Sequence, residues 1–232
     1  MNIDQLDWSR IQEGLNAKGF ATIGELVDIK QCDELIALWG KAELYRKKVV
    51  MERHRFGMGE YQYFNYPLPR IIQQLREEIY PYLVAIANRW MQVLRTDVQY
   101  PDSHESFLQQ CHDKGQKQAT PLILKYEKGG YNTLHQDLYG EVSFPLQLVL
   151  FLSEYEQDYE GGEFVITEQV PRAQSKVNVI KPKKGDVLLF ATSYCPVQGV
   201  KGYYRANLRH GVSEVSSGDR LTLGIIFHDA TN

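Results

Sequence analysis

The spacing of apolar positions divides the chain into two regimes. Over about the first 98 residues the spacing is mostly helical, with apolar side chains three and four apart. Ile11, Leu15 and Lys18 follow that spacing in the first segment. In "DIKQCDELIALWGKAELY", Ile29, Cys32, Leu35, Ile36 and Trp39 fall near one face, and Asp28 stands where a helix cap belongs. A third helix is expected over "LPRIIQQLREEIYPYLVAIANRWMQVL", with Ile71, Ile72, Leu75, Ile79 and Leu83 in register. Pro81 is expected to kink or split it. The intervening "RKKVVMERHRFGMGEYQYFNY" is basic, aromatic and punctuated by glycine, and reads as strand or loop.

Residues 121–229 change period. Short β-rich runs ("PLILKYE", "PLQLVLFLSE", "GEFVITE", "KVNVIKP", "DVLLFA", "RLTLGIIFH") alternate with the turns "KGG", "YEGG", "KKG" and "SSGD". Many short strands at even spacing predict a sandwich or barrel of the jelly-roll type, and no βαβ alternation is visible. The fold class expected is therefore α+β: a mainly β core (121–229) flanked by a mainly helical N-terminal support (1–98), all in one domain. Residues 99–119 form a long polar connection, a length often used for lids or binding loops.

Composition narrows the classes. With 43% hydrophobic and 24% charged residues the chain is an ordinary globular one. The net charge of −3 gives no reason to expect a nucleic-acid or membrane partner. No apolar run approaches the roughly 18–20 residues that span a bilayer. The start "MNIDQLDWSR" lacks a signal-peptide core. Cys32, Cys111 and Cys195 are odd in number and far apart, which fits free thiols and a cytoplasmic protein.

The candidate chemistry begins at "NTLHQDLYGE". If 134–138 is extended, His135 and Asp137 project from one face and Gln136 turns away. An imidazole and a carboxylate are good ligands for a divalent first-row metal, but a lone H-x-D arises often by chance. Further on, "NLRHGVSEVSSGDRLTLGIIF" supplies His210, then Arg220 ten residues later, with Thr222 on the same strand face. An arginine there would suit a dicarboxylate held by paired hydrogen bonds.

The order H-x-D, H, ten residues, R-x-T resembles the Fe(II)/2-oxoglutarate-dependent dioxygenases, in their prolyl-hydroxylase-like branch. Several stretches carry the likeness: "LKYEKGGYNTLHQD" with Tyr126, "YEGGEFVI", "PKKGDVLLFAT" and "RHGVSEVSSGDRLTLGIIF". It covers about residues 121–229. It implies a double-stranded β-helix in which His135, Asp137 and His210 bind Fe(II). It further implies that 2-oxoglutarate chelates the metal, with its distal carboxylate on Arg220 and Thr222 and Tyr126 lining its pocket. The implied reaction hydroxylates a C–H bond, releases succinate and CO2, and takes ascorbate as accessory reductant.

Substrate choice lies outside these motifs. The branch favours a prolyl or other amino-acid side chain, peptidyl or small-molecule. The alkylated-nucleobase demethylases share H-x-D and H but carry a second distal arginine. Here "RLTLGIIFHD" has one, and Phe227-His228 stand where the second would fall, so a nucleobase demethylase is the less expected reading and a nucleic-acid partner is not expected. Two other classes compete: a non-catalytic, cupin-like metal sensor, against which Arg220 and Thr222 argue, and a structural zinc site. His104, Cys111 and His112 match no zinc spacing and read as a loop or short helix, and His228 is expected to be non-ligating. Gly161, Gly162 and Gly185 read as turn glycines. Arg205 and Arg209 straddle the approach to His210, Gln147 and the aromatic 56–66 segment are candidates for the site wall, and Tyr139 is a candidate for the substrate side.

Overall fold

A computed structural model describes residues 1–137, 140–170 and 172–231. In chain order the helices are α1 (Trp8–Lys18), α2 (Ile29–Ile36), α3 (Arg70–Val93) and α4 (His104–Asp113). The N-terminal strands are β1 (Phe20–Ile23), β2 (Tyr45–Val50), β3 (Gly57–Met58) and β4 (Glu60–Phe64). After α4 come β5 (Leu122–Tyr126), β6 (Tyr131–His135), β7 (Leu146–Phe151), β8 (Tyr159–Gly161), β9 (Phe164–Gln169) and β10 (Lys176–Ile180). The last are β11 (Val187–Ala191), β12 (Tyr194–Gly199), β13 (Gly202–Val212), β14 (Val215–Gly218) and β15 (Arg220–Ile226).

The strands form a jelly roll. A major sheet runs β1-β11-β7-β15-β5-β4-β2, and a minor sheet runs β10-β9-β13-β6-β3 with β12 also on β13. The strands within these sheets pair antiparallel, so each inner face can be apolar while the outer face is covered or wet. β15 is central to the major sheet, and all seven of its residues are buried. One of its faces lines a cavity between the sheets; α3 packs on the other side.

The N-terminal segment is more than helical support. β1 closes one edge of the major sheet, and β4 with β2 closes the other. α1 is capped by Asp7, which accepts from the Arg10 N–H at 3.0 Å, and ends at Gly19 in the left-handed region (φ 74°). A Cβ at Gly19 would lie 2.4 Å from Leu208 Cδ1, so only glycine lets α1 turn so close to β13. Asp28 caps α2 as expected, accepting from the Gln31 N–H at 2.8 Å. Ile29, placed by periodicity on the buried face, is instead exposed at the first turn, while Cys32 and Leu35 are buried. α3 runs unbroken through Pro81.

The polar connection 99–119 is no open lid. It carries α4, capped by Ser103, with His104, Phe107 and Cys111 buried. Phe107 joins Tyr80, Tyr100, Phe144 and Phe227 in one aromatic cluster, with centroids about 5–6 Å apart. Beside it, the fully buried Arg76 donates to Asp229 at 2.7 Å and to the Ile226 and Phe227 carbonyls at 3.0 and 3.1 Å. Asp229 also accepts from Tyr66 Oη at 3.0 Å and faces His112 Nε2 at 2.9 Å. This knot ties the chain just past β15 to α3 and α4, and so fixes the row of side chains that β15 turns into the cavity. No helix among the described residues is long and apolar enough to cross a membrane.

Candidate metal and cosubstrate site

Strand pairing sets the two histidines opposite each other. His135 ends β6 and His210 lies on β13, and the register pairs them directly. Their ring centroids are 4.2 Å apart. His135 Nδ1 is 2.8 Å from the Thr133 carbonyl. A proton on that nitrogen leaves the Nε2 lone pair turned toward Asp137 Oδ1, 3.6 Å away. His210 Nε2 lies 3.2 Å from Asp137 Oδ2. The His210 ring is held by Phe164, nearly parallel at 5.7 Å, and by Phe190, edge-on at 4.7 Å.

Asp137 sits just past the strand rather than in it. Its N–H donates to the Thr192 carbonyl at 3.2 Å, and Gln147 Nε2 donates to Oδ2 at 2.6 Å. Gln136 does turn away as expected, donating to the Ser193 and Leu208 carbonyls at 2.6 and 2.9 Å. Burial alone would raise the Asp137 carboxyl, but His210, His135 and Gln147 hold it well below the carboxylate range. Burial, then His210, pushes the His135 imidazole down. An anionic carboxylate beside an imidazole biased to its neutral form is the protonation state a metal requires. One ligand atom from each of the three residues lies within 4.8 Å of the others, and the described residues contain no other such group. The donor set thus fits a 2-His-1-carboxylate triad.

Arg220 opens β15 opposite Tyr126 on β5. Only 1% of it is exposed, and its guanidinium lies 5.5, 5.7 and 5.8 Å from the Tyr126, Phe151 and Tyr159 rings. Its Nε is buried with no hydrogen-bond partner, and no Asp or Glu of the described residues forms an ion pair with it. A buried, uncompensated guanidinium is costly, and an incoming carboxylate would relieve it. Thr222 is buried two residues on, in the same cavity-facing row. The Tyr126 phenol, pushed up to about 12 by burial, is neutral and accepts from Asn132 Nδ2 at 3.3 Å. Arg220, Thr222 and Tyr126 line the same cavity of about 290 Å³ as the His-Asp-His triad. These residues therefore fit a chelated dicarboxylate.

The structure adds residues that pattern alone left open or missed. Gln147 faces the site and holds its carboxylate. Phe56, Tyr61 and Tyr63, from the aromatic N-terminal segment, line the cavity. Tyr159 stands against Arg220, its ring 5.8 Å from the guanidinium, and no spacing signal marked it. Gly162 is more than a turn glycine: at φ 61°, a Cβ there would come 2.9 Å from Arg220 Cδ, so the glycine makes room for the arginine. Other candidates lie elsewhere. Arg209 is exposed beside His210 on the strand, and Arg205 stacks on Tyr194 at 4.5 Å. His104 bonds the Phe227 carbonyl, His112 faces Asp229, and His228 Nδ1 accepts from the Phe144 N–H. Tyr139 lies outside the described residues.

Comparison with known proteins agrees on the class. A Burkholderia pseudomallei oxidoreductase of the 2OG-Fe(II) oxygenase family superposes with a TM-score of 0.59, covering 98% of this chain and 95% of that one at 16% identity. A Pseudomonas putida prolyl-4-hydroxylase superposes with a TM-score of 0.55, covering 94% and 96% at 14% identity. The fold is thus that of the Fe(II)/2-oxoglutarate oxygenases, prolyl hydroxylases among them. Two uncharacterized proteins of Mycobacterium tuberculosis are 45% identical over 167 residues, 72% of each chain. Residues 59–230 match the family Oxygenase-NA, described as "Oxygenase, catalysing oxidative methylation of damaged DNA". The chain belongs to this oxygenase family.

Proposed function

We propose that the protein is an Fe(II)- and 2-oxoglutarate-dependent dioxygenase that hydroxylates a C–H bond. The observation that carries this reading is Arg220: a buried guanidinium without a carboxylate partner among the described residues, opening on the same cavity as a His-Asp-His triad. A fold that only stored a metal would have no use for it. His135, Asp137 and His210 would hold the metal. Arg220 would take the distal carboxylate of 2-oxoglutarate, with Thr222 and the neutral Tyr126 phenol as further donors. Bound together, iron and 2-oxoglutarate supply the oxidising power, dividing O2 between succinate and the hydroxylated product. Gln147 would keep the Asp137 carboxylate oriented, and Phe164 and Phe190 would keep the His210 ring in place. The three free, buried cysteines accord with a reducing compartment such as the cytoplasm.

For the substrate we favour an alkylated nucleobase. The family description names damaged DNA and spans most of the chain. Phe56, Tyr61 and Tyr63 offer flat aromatic surface to the cavity, and Asp137 is the one acidic side chain among its lining residues. Hydroxylation of an N-methyl group gives N–CH2OH, which breaks its C–N bond to release formaldehyde and the repaired N–H. A second distal arginine is lacking: His228 stands at that place and is wholly buried against Phe144. Recognition would then come from the β2–β4 side. The competing reading, a prolyl or other amino-acid side chain, is supported by the fold shared with prolyl hydroxylases.

The test is turnover. Protein supplied with Fe(II), 2-oxoglutarate and ascorbate should release succinate without any prime substrate, and an Asp137→Ala variant should not. Methylated DNA should raise the rate and yield formaldehyde. Metal binding without succinate under every condition would favour the metal-sensor reading. Succinate stimulated by a proline-containing peptide and not by methylated DNA would favour the amino-acid reading.

A further inference from the structure

The turn between β2 and β4 carries charge that nothing around it uses. Met51 and Phe56, at its two ends, line the cavity, and Phe56 is 47% exposed, which places it at the mouth. Thr133 binds the Phe56 carbonyl through both its N–H (2.9 Å) and its hydroxyl (2.8 Å). Thr133 is two residues before His135, so the turn is sewn to the strand that carries a candidate metal ligand. Between the ends stand Arg53, His54 and Arg55, all exposed. His54 stacks on Phe56 with centroids 5.4 Å apart. Arg55 sits at φ 61°, a conformation that few non-glycine residues adopt.

Residues 46–60 hold five basic residues (Arg46, Lys47, Lys48, Arg53, Arg55) against two acidic ones (Glu52, Glu60), in a chain of net charge −3. Some of these are engaged. Lys48 pairs with Glu60 at 2.7 Å. Arg46 donates to the Ala119 carbonyl at 2.8 Å and lies 4.8 Å from the Tyr63 ring. Glu52 accepts from the Gly59 N–H at 3.4 Å. Arg53 and Arg55 form no ion pair with any described residue. Behind the mouth, Tyr61 and Tyr63 meet edge to face at 5.4 Å and form an aromatic wall.

We infer that this turn is the strand grip of the enzyme: Arg53 and Arg55 take backbone phosphates of single-stranded or locally opened DNA, while Phe56 stacks on a base beside the one entering the cavity. The inference rests on the nucleobase reading above and adds the surface that would serve it. Two unpaired guanidinium groups next to an exposed ring suit a polyanion whose bases are unstacked. An enzyme working on a base must draw it out of the helix, and contacts to the flanking phosphates and bases hold the strand while it does so. A neutral peptide would leave both arginines without partners.

The experiment measures retention of a short fluorescein-labelled single-stranded DNA bearing one 3-methylcytosine, by anisotropy, across a salt series. The protein is the full chain loaded with Fe(II) and 2-oxoglutarate under anaerobic conditions. An Arg53→Ala/Arg55→Ala variant should bind more weakly, with the salt slope reduced by about 1.4, since each phosphate contact to a single strand contributes about 0.7. An Arg53→Lys/Arg55→Lys variant should keep most of the slope. Phe56→Ala should lose about 5- to 150-fold in affinity, the range that base–aromatic stacking supplies. Arg10→Ala/Lys18→Ala, on α1 at the opposite edge of the major sheet, should change neither quantity. An unchanged slope in the double-alanine variant overturns the grip and leaves the nucleobase reading standing. Wild-type protein that produces succinate from 2-oxoglutarate yet never retains the probe overturns both, and leaves the dioxygenase reading intact.

Discussion

Replacing Arg220 with methionine separates a residue that binds from one that merely holds the fold. In the ligand-free protein its charge is buried and lacks an acidic partner among the described residues. Burial of such a charge costs several kcal/mol. Against that stand three ring contacts between 5.5 and 5.8 Å. Cation–π contacts contribute about 0.5–2 kcal/mol each. The opposing effects nearly cancel. Apo Arg220→Met should therefore unfold within about 1 kcal/mol of wild type, a shift of roughly 2–4 °C at most in Tm. Affinity for 2-oxoglutarate should fall far more. Removing one side of a desolvated charge pair costs about 2–5 kcal/mol, or about 30- to 4,000-fold in Kd. Anaerobic titration of 2-oxoglutarate into Fe(II)-loaded protein, followed by its visible charge-transfer band, reads the affinity; thermal melts with and without 2-oxoglutarate read the stability. The wild-type melt should rise with cosubstrate and the variant melt should not. A large loss of apo stability, about 3 kcal/mol or more, with near-normal 2-oxoglutarate affinity would refute the reasoning and make Arg220 a structural residue.

Three further outcomes are expected. Gln147→Leu should weaken Fe(II) binding about 10- to 100-fold by anaerobic competition titration, because its amide orients the Asp137 carboxylate; unchanged metal affinity would show that the 2.6 Å bond is incidental. Asp229→Ala should destabilise the protein by about 3–5 kcal/mol in denaturant melts, since it strands the fully buried Arg76; a loss below 1 kcal/mol would mean that the knot is not needed. Burial lowers His104 and His228 from 6.5 to about 4. The unfolded chain therefore binds more protons than the folded one between these values. Their contribution is complete above about pH 6.5 and is lost as pH falls toward 4, at about 1.4 kcal/mol per pH unit for each histidine. Urea melts of His104→Asn across that range should show a shallower slope; an identical slope would contradict the assignment.

Much of the fold could be read from the chain because its inner faces obey simple periods. The strands that became β5, β7, β9, β10, β11 and β15 were visible as apolar runs between glycine turns. β1 was not: "FATI" is four residues long, and it is a strand because β11, far along the chain, pairs with it from Phe20↔Phe190 to Ile23↔Val187. α4 was half legible: its polar composition left loop and short helix both open, and the helix is settled by His104, Phe107 and Cys111, which keep helical spacing and all point inward. The His135/Asp137 pair was legible for a slightly wrong reason. β6 stops at His135, and Asp137 is set by the Thr192 carbonyl and Gln147 rather than by strand alternation. Tyr159 and the room that Gly162 leaves for Arg220 could not be read, because both depend on β8 and the turn after it lying against Arg220, which comes much later in the chain.

The most direct measurement is a crystal structure of the protein with Mn(II) and an unreactive 2-oxoglutarate analogue. The expected result is an anomalous peak for a metal ion bonded to His135, Asp137 and His210 and chelated by the analogue, whose distal carboxylate lies on the Arg220 guanidinium and within reach of Thr222 and Tyr126. Metal bound by other residues, or an analogue whose distal carboxylate is away from Arg220, would contradict it.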